Sequence, residues 1–144
     1  MRHTIVIDWD GTLVPNEWPG QPTTFMPGAE AAMRIFDDAG FKLTVFSARM
    51  NPYDPVSGKL LDKGNPTREK LYIRDTLDKA GFTYVDIWDK PGKPSAALYI
   101  DDKGIRYAGT KGAWKAVTNQ VMLHLTGCAP EFPAMPLSDE LEAP

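Results

Sequence analysis

Asp8-Trp9-Asp10-Gly11-Thr12 follows directly on the apolar run Thr4-Ile5-Val6-Ile7. A β-branched run of this length reads as a buried strand, so two carboxylates stand two residues apart at a strand's carboxyl end. Like charges this close repel, and one of the two should have its pKa raised unless a cation lies between them. A chain accepts that cost most readily where a metal or a reaction needs it. The layout suits a nucleophilic Asp8 followed by a proton-donating Asp10. A calcium loop is the competing reading of D-x-D-G, and it fails. Gly11 is at the fourth position instead of the sixth, Pro19 stands at the twelfth where a bidentate Glu is required, and the preceding segment is a strand.

The elements that must position these residues follow from periodicity and turn residues. A first strand is expected over about 3–8, followed by a Pro- and Gly-rich loop to Phe25. A helix starting near Pro27 buries Ala32, Met33, Ile35, Phe36 and Ala39 and stops at Gly40. A second strand spans 42–47. Residues 49–65 form a polar loop long enough to be functional, and Asn65-Pro66 caps a helix running to about Ala80, with Leu71, Leu77 and Ala80 inward. Strands are expected over 83–88 and 97–101, a short further one at Arg106-Tyr107-Ala108, and a last helix over 111–125 with Trp114, Val117, Val121, Met122 and Leu125 largely on one face. The phrase Ala-Gly-Phe at 39–41 and 80–82 reads as a recurring helix-to-strand turn. Alternating strands and helices imply an α/β fold: a three-layer, Rossmann-like parallel sheet with helices on both faces. Ligands of such sheets sit outside the strands' carboxyl ends. Asp8, Ser47 and Asp101 all fall at such ends.

At 144 residues the chain is expected to hold one domain, over 1–126, with an extended or disordered Pro-rich acidic tail over 127–144. No stretch approaches the roughly 18 apolar residues of a membrane span. The chain enters a strand at once, so no leader is expected. Cys128 is the sole cysteine and reads as a half-buried thiol near a helix end. A reducing, cytoplasmic location fits. His3 and His124 read as structural, and no grouping has zinc-site spacing. The net charge of -3 conceals an asymmetry: the tail carries four acidic residues and no basic ones, leaving 16 basic against 15 acidic residues in the body. Lys90, Lys93, Lys103, Arg106, Lys111 and Lys115 accompany only Asp101 and Asp102 between 90 and 115. That local excess suits an anionic substrate, but charge alone does not argue for a nucleic-acid binder.

Asp8 to Thr12 resembles the first motif, DxDGT, of the haloacid dehalogenase-like hydrolases. Three further motifs of that superfamily follow in order. Leu43-Thr44-Val45-Phe46 ends in Ser47, Lys90 and Lys93 come next, and Leu98-Tyr99-Ile100 ends in Asp101-Asp102. The resemblance spans Arg2 to Gly109, about three quarters of the chain, and residues 93–102 look particularly like the small, capless members. It implies that Asp8 forms an aspartyl-phosphate. Asp10 would protonate the leaving oxygen and then help deprotonate water. Ser47, with a neighbouring backbone N–H such as that of Ala48, would bind a phosphoryl oxygen, and Arg49 could contact substrate charge. Lys93, favoured over Lys90, would neutralise the transferring group. Asp8, Asp101 and the backbone carbonyl of Asp10 would bind Mg²⁺, with Asp102 reaching it through water. An acid at position 10 points, by the same resemblance, to phosphatases and phosphomutases, because dehalogenase members lack an acid there and transport ATPases carry Thr. Gly11 should permit a tight turn that the Thr12 hydroxyl fixes.

Neither gap that could host a cap, 13–25 or 49–65, is long enough for a domain. The expected site is therefore open. It suits a large phosphorylated substrate, or a small one covered by a homo-oligomeric neighbour. Trp18 and Tyr53 could stack on a base. The expected activity is Mg²⁺-dependent hydrolysis of a phosphomonoester, with nucleotides or phosphorylated nucleic-acid ends as the favoured substrates and no membrane partner. Phosphotransfer to an acceptor other than water is an alternative. So is a non-catalytic phosphate- or metal-binding module of the same fold.

Overall fold

The computed structural model describes residues 2–54, 56–60 and 66–128. The chain divides into two compact units, Met1–Asp102 and Lys103–Pro144. The first is α/β, with the element order β1 (Thr4–Ile7), α1 (Ala29–Asp38), β2 (Lys42–Val45), a 3₁₀ turn (Ala48–Met50), α2 (Pro66–Lys79), β3 (Asp86–Ile87) and β4 (Leu98–Ile100). The strands form one parallel sheet in the order β3-β2-β1-β4. Each is shorter than the span expected from the sequence, most of all β3, where only Asp86–Ile87 pair.

Successive strand residues face opposite sides. Ile5, Ile7, Leu43 and Val45 share one face and form the core with Met33 of α1, Ile73 and Leu77 of α2, and Trp9, Phe82 and Val85. Both helices of this unit therefore cover the same face. Right-handed crossovers explain it, since β1, β2 and β3 are added in one direction and each helix must return on the same side. β4 lies on the far side of β1. The 88–97 connection carries the chain back without a helix, and its Pro94 is buried. A cavity of about 300 Å³ lies on the second face, lined by Thr4, Thr44, Trp88, Lys90, Pro94 and Ser95 among others. Tyr99 donates its hydroxyl to the Pro94 carbonyl.

The inward faces of the helices differ from the sequence expectation at single positions. Ile35 is 64% exposed, because at 100° per residue it lies about 200° from Met33; Ala39 is exposed as well. In α2 the buried face is Glu69, Ile73, Thr76 and Leu77, spaced at i, i+4, i+7 and i+8. Leu71 stands two residues from Ile73 and is 65% exposed. The Asn65 cap lies outside the described residues. Neither gap holds a cap domain among the described residues. The first is a loop whose Leu13 carbonyl accepts from Met26 N–H. In the second, Asp54 Oδ1 accepts from the backbone N–H groups of Val56 and Ser57 and closes a tight turn.

In the second unit α3 spans Ala113–Thr126 and ends at Gly127, whose positive φ of 72° and N–H bond to Leu123 make a left-handed cap. Tyr107 packs on Trp114 at 5.0 Å. Arg106-Tyr107-Ala108 is not a strand; it has no pairing partner among the described residues. Trp114 and Leu125 are exposed, so the apolar face of this helix is narrower than its composition implies. Cys128 is free and exposed, not half-buried, because it lies beyond the helix cap. Of the tail, residues 129–144 lie outside the described residues. No helix among the described residues is long and apolar enough to cross a membrane.

The α2 face gives a direct check. Leu77→Ala should cost about 2–5 kcal/mol as a core cavity, whereas Leu71→Ala should stay within about 0.5 kcal/mol of wild type. Urea titration of the two variants measures both.

Candidate functional site

The alternation of β1 continues one turn past its last paired residue. Ile5 and Ile7 point into the core, and Trp9 is completely buried there as well. Its indole N–H donates to the Tyr72 hydroxyl at 3.1 Å, and its ring meets Phe25 and Tyr72 edge-on at 6.0 and 5.9 Å. Tyr72 in turn donates to the Pro22 carbonyl. Anchoring Trp9 in the core leaves Asp8 to point the other way. The Asp8 N–H donates to the Ile100 carbonyl at 2.9 Å. Because Ile7 pairs with Ile100, Asp8 and Asp101 emerge side by side from two adjacent strands.

Asp8, Asp101 and Asp102 each bring a carboxylate oxygen to within 4.8 Å of the others. Asp8 is half-buried and the other two are exposed. Burial pushes the Asp8 carboxyl up from 3.8 to about 6, opposed by a hydrogen bond from the Trp9 backbone and reinforced by Asp101, Asp102 and then Asp10. The repulsion anticipated from the sequence therefore exists, but desolvation is the larger cause. An all-oxygen donor set with two exposed members fits a hard divalent cation that keeps part of its water, as Mg²⁺ does. Gly11, at φ 79°, closes the turn beside them. A Cβ there would collide with Oδ2 of Asp102, so position 11 needs glycine for both conformation and space. The Thr12 hydroxyl does not fix this turn: it is buried and has no hydrogen-bond partner among the described residues.

Asp10 does not join that group. Its carboxylate is taken by Arg49, with Nε 3.0 Å from Oδ1 and 2.8 Å from Oδ2, and Nη2 2.7 Å from Oδ1. Nη1 of the same guanidinium donates to Glu69 Oε2 at 2.9 Å and Nη2 to the Gly20 carbonyl at 2.5 Å. The group also lies over the rings of Trp18 and Tyr72, 4.9 and 5.2 Å from their centroids. The Arg49 side chain is 1% exposed. Burial pushes its pKa down, but the hydrogen bonds with Asp10 and Glu69 outweigh that and the net shift is upward. This corrects the sequence expectation for Arg49, whose charge is spent inside the protein instead of on a substrate. Glu69 was missed. Its position four residues before Ile73 on the inward face of α2 was the available signal, because a buried Glu requires a partner.

Ser47 is buried at the end of β2, where its Oγ accepts from Arg49 N–H at 3.1 Å and caps the 3₁₀ turn. The hydroxyl keeps its proton to donate. Ala48 is exposed at the first position of that turn. Lys93 holds its ammonium 3.8 Å from the Tyr99 ring centroid. Tyr99 pairs with Val6, so it shares a face with Val6, Asp8 and Asp101. Lys90 lies 5.6 Å from the Trp88 ring centroid and lines the cavity on the sheet's second face.

No family model matches the chain, and no curated protein matches it. Among solved structures, a conserved protein from Bacteroides thetaiotaomicron is similar at 20% identity and a TM-score of 0.48, over 88% of this chain and 95% of that one.

Two outcomes follow from this geometry. Since folding raises the Asp8 pKa, the contribution of Asp8 is fully present below its unfolded pKa and is lost as pH rises from 3.8 through about 6. Urea midpoints in chelator should therefore show wild type losing stability relative to Asp8→Asn across that window. Gly11→Ala should cost at least about 1–2 kcal/mol from the left-handed backbone alone, read as a lowered urea midpoint.

Proposed function

We propose that this chain is a Mg²⁺-dependent phosphomonoester hydrolase of the haloacid dehalogenase-like superfamily, a capless member acting through an aspartyl-phosphate on Asp8. The observation that carries the reading is the convergence of Asp8 with Asp101 and Asp102 from two neighbouring strand ends, with a second acid, Asp10, fixed two residues on.

Asp8, when ionised, attacks phosphorus. Its bond to phosphorus forms as the bond to the leaving oxygen breaks. Asp10 supplies a proton to that oxygen, then accepts one from the water that cleaves the aspartyl-phosphate. Ser47 donates its hydroxyl to a phosphoryl oxygen. Ala48, exposed beside it, offers a backbone N–H to the same group. Lys93 neutralises charge on the transferring phosphoryl. Its ammonium lies over Tyr99 of β4, the strand that ends in Asp101, which favours it over Lys90 on the Trp88 ring. Mg²⁺ held by Asp8 and Asp101, with Asp102 through water, would shield the approach of a carboxylate to an anionic phosphate.

Nucleotides or phosphorylated nucleic-acid ends are the favoured substrates. Trp18 supports this: its ring rests on Arg49 beside Asp10, yet 42% of it is exposed, which offers a platform for a base.

The test is Mg²⁺-dependent phosphate release from a panel of phosphomonoesters, including nucleotides and 3′- and 5′-phosphorylated oligonucleotides. Wild type should turn over at least one class, and Asp8→Asn should abolish that turnover while still folding. Trp18→Ala should raise KM for base-bearing esters, at about 1–3 kcal/mol of stacking, and leave simple esters unchanged. Wild-type release no greater than that of Asp8→Asn on every compound would refute the hydrolase.

A further inference from the structure

We propose that Arg49, braced by Glu69, is a positioning residue that orients the Asp10 carboxylate for proton transfer to the leaving oxygen. The inference rests on the hydrolase reading above and concerns how its acid is held.

Each carboxylate oxygen offers two lone-pair sites. Nη2 of Arg49 donates to Oδ1 of Asp10, and the single Nε hydrogen is shared between Oδ2 at 2.8 Å and Oδ1 at 3.0 Å, so the fork grips both oxygens and leaves each a lone-pair site. Arg49 itself cannot reach a substrate, since its side chain is 1% exposed and its donors serve Asp10, Glu69 and Gly20. Its orientation is over-determined. Ser47 caps the 3₁₀ turn that presents it, Glu69 of α2 takes Nη1, and the rings of Trp18 and Tyr72 lie against it. The clamp also draws Asp10 to a different partner from the group formed by Asp8, Asp101 and Asp102. Two residues apart in sequence, Asp8 and Asp10 are thus given separate tasks.

In the first step the Asp8–phosphorus bond forms, the bond from phosphorus to the leaving oxygen breaks, and the proton on the Asp10 carboxyl passes to that oxygen. In the second, water oxygen bonds to phosphorus, the Asp8–phosphorus bond breaks, and a water proton returns to the Asp10 carboxylate. A misplaced Asp10 therefore hurts most where the leaving oxygen needs a proton.

The experiment compares p-nitrophenyl phosphate, whose leaving group departs as a stable anion, with a simple alkyl phosphate, whose leaving group does not. Arg49→Lys keeps the charge but loses the fork. It should lower kcat on the alkyl ester by about 100-fold, within the usual span of general-acid catalysis, and on the nitrophenyl ester by about threefold or less, with KM unchanged on both. Asp10→Asn should show the same leaving-group pattern, and the double variant should add little to it. Glu69→Gln, which keeps side-chain shape, should shift the same ratio by about 3- to 10-fold and serves if Arg49→Lys fails to fold by circular dichroism. Equal losses on both esters, or a raised KM with kcat intact, would overturn the clamp while leaving the hydrolase standing. A wild type inactive on these esters and on every compound of the panel above would overturn the hydrolase and the clamp with it.

Discussion

A guanidinium taken out of water demands neutralisation on the spot, and the interior around Arg49 is built to meet that demand. The cost of desolvating an ion in a protein is several kcal/mol, and it is offset only when geometry is good and every donor is used. Here Asp10 and Glu69 accept from the guanidinium edges and the Gly20 carbonyl takes a further hydrogen. Those partners come from three separate places: the turn after β1, the loop leading to α1, and α2. The one side chain therefore ties together the segments that frame the strand ends. Further bonds run parallel to it, from Gln21 to Glu69 and from Tyr72 to Pro22.

The same arrangement decides the electrostatics of the site. Four carboxylates crowd the strand ends, and three of them have oxygens close enough to share a cation. Had Asp10 remained with the others, the group would hold four negative charges in a small volume. Arg49 removes one of them by giving it a different partner. What remains is a half-buried Asp8 whose ionisation is made harder chiefly by burial, facing two exposed acids. That residual imbalance is the kind a divalent cation relieves.

The sheet explains why these residues meet at all. Parallel pairing aligns every strand end at one edge, and the register of β1 with β4 sets Asp8 beside Asp101. Trp9 contributes by filling the core beneath Phe25 and Tyr72, which prevents β1 from slipping by one residue and turning Asp8 inward. The absence of a helix from the 88–97 connection leaves the second face to the loop that carries Lys90 and Lys93. Lys93 reaches Tyr99, whereas Lys90 lines the cavity.

Much of this was legible in the sequence by itself. Apolar runs ending in Asp8, Ser47 and Asp101 located three strands and the acids and hydroxyl at their carboxyl ends, because the period of a strand and the identity of its last residue are local properties. Gly11 was legible for the same reason. Tertiary structure alone decided the destination of Arg49, the role of Glu69 and the shared face of α1 and α2. Arg49 lies 39 residues from Asp10 and 20 from Glu69 in sequence, and no local pattern states which charges will meet across such distances. Leu71 and Ile35 misled for a related reason: helix composition names apolar residues, but the angle at which a helix docks chooses which of them are buried. Spacing along the chain fixed which acidic residues stand at the strand ends, and long-range packing fixed which carboxylate is held by an arginine and which gather at the ends of two neighbouring strands.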